Sequence, residues 1–428
     1  MVIDYLNQFD VLIIGAGPAG TSTAISFKKL NPDLEVAIVD KSIFPRDKSC
    51  GDAIGPGVIH ALKRFGIEDI LDSQPPVIST SLSGTGNIEI RNYIPKVNNK
   101  EDSIVYVIPR KEFDYKLLTK ALNLGVKDFT GYRFVGMEKS SKGWLVEISN
   151  NEDSISINSK LLVGADGANS RVRKSLGVAS NNDKDKAIAI RAYVDSPNFV
   201  EYFNERSLFF EINLSAAKGY AWAFPSKNEL VNIGIGVPLN LFKQNDMDIN
   251  LLLDIFVNKL ESKGIVIRDI RDEKSYILPL ASVSKKISHD QAALVGDAAS
   301  MINPMSGEGI FYGIEAGYIL AKNTYNKFDS KDLLNEGLNL FEKEFNNRFR
   351  KHFLSCSLAR QVLEVPFMTK RLLKIAKYNK ATIDFVIELL FDEAHFKIKD
   401  AFLLGIKFLI PINLIKIGSK NTSSSKEI

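Results

Sequence analysis

The stretch Phe9-Asp-Val-Leu-Ile-Ile-Gly-Ala-Gly-Pro-Ala-Gly20 decides how the rest of this chain is read. Val11 to Ile14 is a short apolar run of the kind that forms a buried parallel strand. Gly15, Gly17 and Gly20 follow in G-x-G-x-x-G spacing, and Thr21 to Leu30 carries Ala24, Ile25, Phe27 and Leu30 at helical positions. The first glycine permits a tight turn, the second lets a pyrophosphate approach the backbone, and the third lets helix and strand pack closely. Unpaired N–H groups and the helix dipole then favour an anion at the helix start. A second strand, Val36 to Val39, ends at Asp40, about 20 residues past the glycines, where a carboxylate can accept from a ribose. Strand, glycines, helix and acid in this order predict a bound dinucleotide, without deciding between FAD and NAD.

A chain of 428 residues has room for roughly two or three domains. The formal charge of +4 comes with no arginine-rich tract or aromatic-interleaved basic patch, so no nucleic-acid partner is expected. Cys50 and Cys356 are the only cysteines, which is no disulfide framework and suits a reducing compartment. His60, His289, His352 and His395 are scattered without metal-ligand spacing, so no metal is expected. Asp4 interrupts the N-terminus, and the first apolar run is already the cofactor strand, so no signal peptide is expected. No uninterrupted apolar run is long enough to predict a membrane-spanning helix. A cytoplasmic protein is expected, with peripheral placement at the inner face of the membrane as the variant of that reading.

Further along, Lys41 to Asp52 reads as a polar loop, and Pro56 to Phe65 as a helix stopped by Gly66. Leu71 to Ile108 turns to short strand-like pieces such as Asn87 to Tyr93, and Arg110 to Leu124 returns to helical spacing. Tyr132 to Glu138, Trp144 to Ser149 and Ser154 to Ile157 are strand candidates separated by turn residues, and Lys160 to Val163 is another apolar strand. Lys186 to Val237 alternates β-branched and aromatic residues as an antiparallel sheet does. Ile249 to Leu260 reads as a helix, Ala292 to Val295 as a last strand, and Gly307 to Phe328 as a long helix. Helices follow Lys331, and a polar tail from Ser419 is expected to be disordered.

Two further motifs carry chemistry. In Val163-Gly-Ala-Asp-Gly-Ala-Asn-Ser-Arg-Val-Arg173, Gly164 and Gly167 allow a tight turn, and Asp166 can bond a sugar or cap the next helix. In Val295-Gly-Asp-Ala-Ala-Ser-Met-Ile-Asn-Pro-Met-Ser-Gly-Glu-Gly309, Gly296 precedes Asp297 at a strand end, where the acid can accept from ribitol hydroxyls. Gly307 and Gly309 open a helix that can point its N-terminus at a flavin ring and phosphates.

These motifs in this order resemble the FAD-dependent oxidoreductases of the para-hydroxybenzoate hydroxylase fold, over about the first 330 residues. Within them the chain looks most like the geranylgeranyl reductase family. Lys48-Ser-Cys-Gly-Asp52 is similar to that family's K-x-C-G loop, and Tyr220-Ala-Trp-Ala-Phe-Pro225 to its Y-x-W-x-F-P motif. Ala217 departs from the proline that usually opens the latter. The resemblance implies FAD, held by Gly15, Gly17, Ala19, Gly20, Asp40, Lys41, Cys50, Gly51, Arg110, Asp166, Gly296, Asp297, Gly307, Gly309 and Ile310. It implies saturation of prenyl double bonds by hydride from reduced flavin, with Cys50 or Tyr220 supplying the proton. Trp222 and Phe224 are expected to line an apolar substrate pocket. The substrate would be a prenyl lipid, quinone or prenyl diphosphate.

No second strand–GxGxxG–helix unit appears, because Gly84-Thr-Gly86 and Gly234-Ile-Gly236 lack the context. No separate NAD(P)H domain is therefore expected, and the donor is expected to be NADPH visiting the flavin transiently or a reduced electron-donor protein. Residues 396–417, apolar with four lysines, read either as a membrane-surface contact or as a helical layer over the substrate tunnel or a dimer contact.

The expected fold is α/β: a discontinuous Rossmann-like FAD domain, an inserted antiparallel β-sheet substrate domain and a helical C-terminal region. The expected boundaries are 1–70, 106–178 and 283–330 for the first, 71–105 and 179–282 for the second, 331–418 for the third, and 419–428 for the tail. A flavin monooxygenase or halogenase on the same fold is the first alternative, although Tyr220 and Phe224 replace two residues of the halogenase W-x-W-x-I-P motif. A flavin- or lipid-binding protein without turnover is the second.

Overall fold

The structure, a computed structural model, describes residues 8–84, 88–93, 104–214, 218–281, 286–391, 393 and 395. Residues 396–417, Ala217, Asn87 and the tail from Ser419 lie outside the described residues.

Two sheets organise the fold. The first runs in the order Ser288–His289, Ala292–Leu294, Ser154–Gly164, Gln8–Ile14, Val36–Asp40 and Lys127–Thr130. All neighbours after the first pair are parallel, with Val11 opposite both Leu161 and Val36. Helices cover both faces, which is why Val11 to Ile14 are all buried instead of alternating. Ser154–Gly164 is one strand where two were expected. Its first half pairs antiparallel with Gly143–Ser149 and its second half parallel with Gln8–Ile14, so the backbone changes partner without a turn.

The second sheet runs Arg268–Pro279, Lys186–Asp195, Leu230–Pro238, Tyr220–Pro225, Ser207–Ile212, Ser79–Gly84 and Ile88–Tyr93. It is antiparallel except where Ser207–Ile212 pairs parallel with Ser79–Gly84. Those two strands are joined by a long excursion through the first sheet, so no hairpin forces them antiparallel. Side-chain alternation gives this sheet two unlike faces. Ala221 and Ala223 pack with Phe256 and Leu260 of the helix Ile249–Ser262. Trp222 and Phe224 face the other way, with Leu82, Phe210 and the C-terminal residues Leu373, Ile383 and Ile387.

The helices Pro18–Leu30 and Ile310–Thr324 cross at short range. A Cβ at Gly313 would lie 2.8 Å from Ala19 Cβ, and one at Gly317 would lie 2.3 Å from Thr23 Oγ1. This crossing sets the two helix N-termini side by side. The first helix starts at Pro18, three residues earlier than expected, because proline suits the first helical turn. The second starts at Ile310, because Asn303 Oδ1 accepts from Met305 N at 2.8 Å and from Ser306 N at 3.2 Å and holds the preceding residues in a turn. Lys331–Leu363 buries Leu334, Phe341, Phe349 and Phe353 against the first core. Pro366–Tyr378 and Lys380–Phe391 follow.

Candidate active site

The three glycines of the opening motif have separate physical roles. Gly15 has φ +111° and a Cβ there would sit 2.2 Å from Ala165 O, so no side chain fits. A Cβ at Gly20 would lie 1.9 Å from Gly15 O. Gly20 is thus a packing residue, and unlike the other expected cofactor residues it does not reach the cavity described below. At Gly17 a Cβ meets only Arg46 Nη2, at 3.5 Å, and would project into open space. That space is a cradle at the start of a helix with no side-chain cap and no acid in its first turn. Asp40 closes it from below, accepting from Ala16 N at 2.9 Å and Ser42 N at 2.8 Å. Lys41 and Arg46 line its rim. The donor set fits the diphosphate of FAD.

Asp166 accepts from Arg171 N at 2.7 Å, Val172 N at 3.2 Å and the Ser170 hydroxyl, so of its two expected roles the structure shows the helix cap. Burial pushes its pKa up against those bonds. Asp297 sits in the turn Gly296–Ala299, with Lys48 Nζ 3.7 Å from its carboxylate. Lys48 Nζ also lies 3.6 Å from the centroid of the Tyr276 ring. Burial pulls the Lys48 pKa down, and Asp297 opposes the shift.

These groups open onto one cavity of about 1360 Å³, larger than the roughly 300–1,000 Å³ of a pocket for one small ligand. One end is the cradle. The other is an apolar arm between the aromatic face of the second sheet and the C-terminal helices, lined by Leu82, Phe210, Leu373, Ile383 and Leu390. Ala19, Gly307, Gly309 and Ile310 line the middle, together with Cys50, Tyr220, Trp222 and Phe224.

Cys50 is half-buried there, and its sulfur accepts from Asp52 N at 3.4 Å. The Arg110 guanidinium neighbours the thiol and is held by Asp114 at 2.6 and 2.7 Å. Burial opposes the charge on Arg110, but Asp114 outweighs it and keeps the group protonated. The Tyr220 hydroxyl donates to Ser306 O, and burial pushes its pKa well above the usual phenol range. Trp222 Nε1 donates to Asn232 Oδ1 at 2.9 Å, and its indole lies where a side chain at Gly234 would be, 2.3 Å from that Cβ position. Gly51 makes its close approach to this aromatic wall: its Cβ would lie 3.2 Å from Phe224 and 3.4 Å from Trp222.

Sequence reasoning missed two acids inside motifs it quoted. Asp52, at φ +64° and fully buried, accepts from Tyr193 Oη at 2.5 Å and Asn232 Nδ2 at 2.7 Å, while its Oδ1 has no partner among the described residues. Burial pushes its pKa up to about 7. Glu308 lines the cavity, and burial pushes it up to about 8. The available signal was an asparagine, Asn232, inside an apolar strand, where a buried amide needs partners. Among the described residues no group of three or more His, Cys, Asp or Glu side chains could hold a metal.

A parallel sheet with a glycine cradle, two helix N-termini and a joined apolar arm defines an FAD-dependent oxidoreductase. The chain belongs to the FAD binding domain family, whose model matches residues 8–325. It is 31% identical over 320 residues to the menaquinone reductase of Mycolicibacterium smegmatis, across 74% of this chain and 76% of that one. It is 25% identical over 355 residues to the digeranylgeranylglycerophospholipid reductase of Methanococcus vannielii, across 82% and 85%. A solved structure, a geranylgeranyl bacteriochlorophyll reductase-like protein from Thermoplasma acidophilum, shares the fold with a TM-score of 0.76 at 22% identity, covering 87% and 92%. Among the described residues no helix is long and apolar enough to cross a membrane.

Proposed function

We propose that the chain saturates carbon–carbon double bonds in the prenyl chain of an isoprenoid lipid or quinone. The observation that carries this reading is the apolar arm, which continues the cradle's cavity past Tyr220, Trp222 and Phe224 and between the sheet and the C-terminal helices. An isoprenoid chain has no polar group near its double bonds, so an elongated apolar arm suits it. The names of the menaquinone and digeranylgeranylglycerophospholipid reductases support the same substrate class.

FAD, when bound, supplies the hydride. The chain's residues exclude water, orient the alkene and hold the proton that must reach the other carbon. Tyr220 spends its proton on Ser306 O, and burial resists its ionisation. Cys50 is half-buried on the cavity wall, so its thiol is the preferred donor. NADPH or a small reduced electron carrier supplies electrons by transient contact.

The test is anaerobic. Dithionite-reduced protein mixed with a geranylgeranyl-type lipid or a menaquinone should give a product heavier by about 2 Da per reduced bond, from one hydride and one proton. A product that needs oxygen or halide assigns the chain to monooxygenases or halogenases.

A further inference from the structure

The helix Pro366–Tyr378 forms part of the wall between the apolar arm and the outside. Leu372, Leu373 and Ala376 point inward and line the cavity. At 3.6 residues per turn, Phe367, Lys370, Lys374 and Lys377 fall together on the opposite face. Phe367 is 74% exposed, and the adjoining Val365 is 43% exposed. On the preceding helix Leu354 and Leu358, one turn apart, are 44% and 56% exposed. Leu363 and Glu364, immediately before this corner, also line the cavity. Exposed apolar side chains therefore lie on both of the helices that meet at this corner.

The charge of this segment is unlike that of the rest. Residues 351–380 carry Lys351, Arg360, Lys370, Arg371, Lys374, Lys377 and Lys380 against Glu364 alone, in a chain whose net charge is only +4. The remainder of the protein is thus slightly acidic, and the positive charge is concentrated in residues 351–380.

We infer that this corner docks on an anionic lipid bilayer, with Val365 and Phe367 in the acyl boundary and the lysines at the headgroups. Apolar residues flanked by lysines on one helix face are the pattern of interfacial helices. A second copy of the chain is the poorer occupant, because a two-fold contact would place two such basic faces against each other. An anionic surface complements them instead. Docking here sets the thin side of the cavity against the lipid phase, the reservoir of any long-chain substrate.

The inference is separable from the proposed reaction, because it is read without turnover. FAD-loaded full-length protein is co-sedimented with vesicles of phosphatidylcholine, with and without phosphatidylglycerol. The wild type should bind only where phosphatidylglycerol is present. Each basic residue near an anionic surface contributes about fivefold to partitioning, so Lys370→Gln, Lys374→Gln and Lys377→Gln together should cost roughly 100-fold. Phe367→Glu, a single exposed change, should abolish binding to the phosphatidylglycerol vesicles while leaving FAD absorbance and melting temperature unchanged. Equal binding to neutral vesicles, no binding at all, or wild-type binding by these variants overturns the inference. So does a dimer in solution that Phe367→Glu dissociates, which would give the face to a second copy.

Discussion

Asn232 Nδ2 donates both to the Asp52 carboxylate, at 2.7 Å, and to the Cys50 carbonyl, at 2.8 Å. One asparagine in the middle of the second sheet therefore ties the thiol-bearing loop to a buried acid. The same side chain accepts from Trp222 Nε1 at 2.9 Å, so the aromatic wall is held by the group that holds the loop. Buried networks of this kind hold their shape only while each member keeps its partners.

Asp52 should make stability depend on pH. Its pKa rises from 3.8 to about 7 on burial, so the native state keeps a proton that the unfolded chain releases. Stability from this group is complete below the unfolded value, falls as pH rises from about 4 to about 7, and then levels off. Asp52→Asn cannot ionise and removes that slope. Across this window the melting temperature of the variant should therefore climb relative to the wild type. A constant difference between the two proteins would refute the shift. Glu308 acts in the same sense but is present in both, so it cancels.

Gly17→Val should give a folded but colourless protein. Its side chain enters the cradle, where the nearest neighbour among the described residues is Arg46 Nη2. Gly20→Val should instead destabilise the fold, because its Cβ would overlap Gly15 O. Absorbance of the bound flavin and thermal melting separate the two outcomes, and a yellow Gly17→Val protein would remove the cradle from the cofactor site.

Asp297→Ala should weaken FAD binding by roughly 1–3 kcal/mol, the cost of losing a charged hydrogen-bond partner. The substitution also leaves Lys48 without its carboxylate neighbour. Fluorescence titration of the apoprotein measures the effect. Unchanged affinity would leave Asp297 as a turn residue only.

Cys50→Ala should keep FAD and accept electrons normally, yet saturate the prenyl bond about 10²–10⁴-fold more slowly, the usual contribution of a positioned acid. Cys50→Ser should be milder if the group orders a water, and equally slow if the thiol itself gives the proton. Anaerobic single-turnover reoxidation by substrate is the measurement. A wild-type rate in Cys50→Ala transfers the role to Tyr220.

Much of this was legible in the amino-acid order. The strand, the three glycines and Asp40 lie within one βαβ unit, where each element follows its neighbour and local spacing carries the geometry. The alternation of Tyr220-Ala-Trp-Ala-Phe224 already placed aromatics on one face, because side chains alternate along a strand. What no local pattern contained was which distant groups meet. Asp52 and Asn232 are 180 positions apart, and only the packing of the second sheet against the Cys50 loop makes them partners and strips Asp52 of water. The same holds for Gly51, whose close approach is to Phe224 and Trp222. Local sequence determined the cofactor cradle because its contacts are made within a few residues. The tertiary fold alone decided the acid network and the wall of the apolar arm, because burial and long-range pairing are properties of surfaces that meet only after folding.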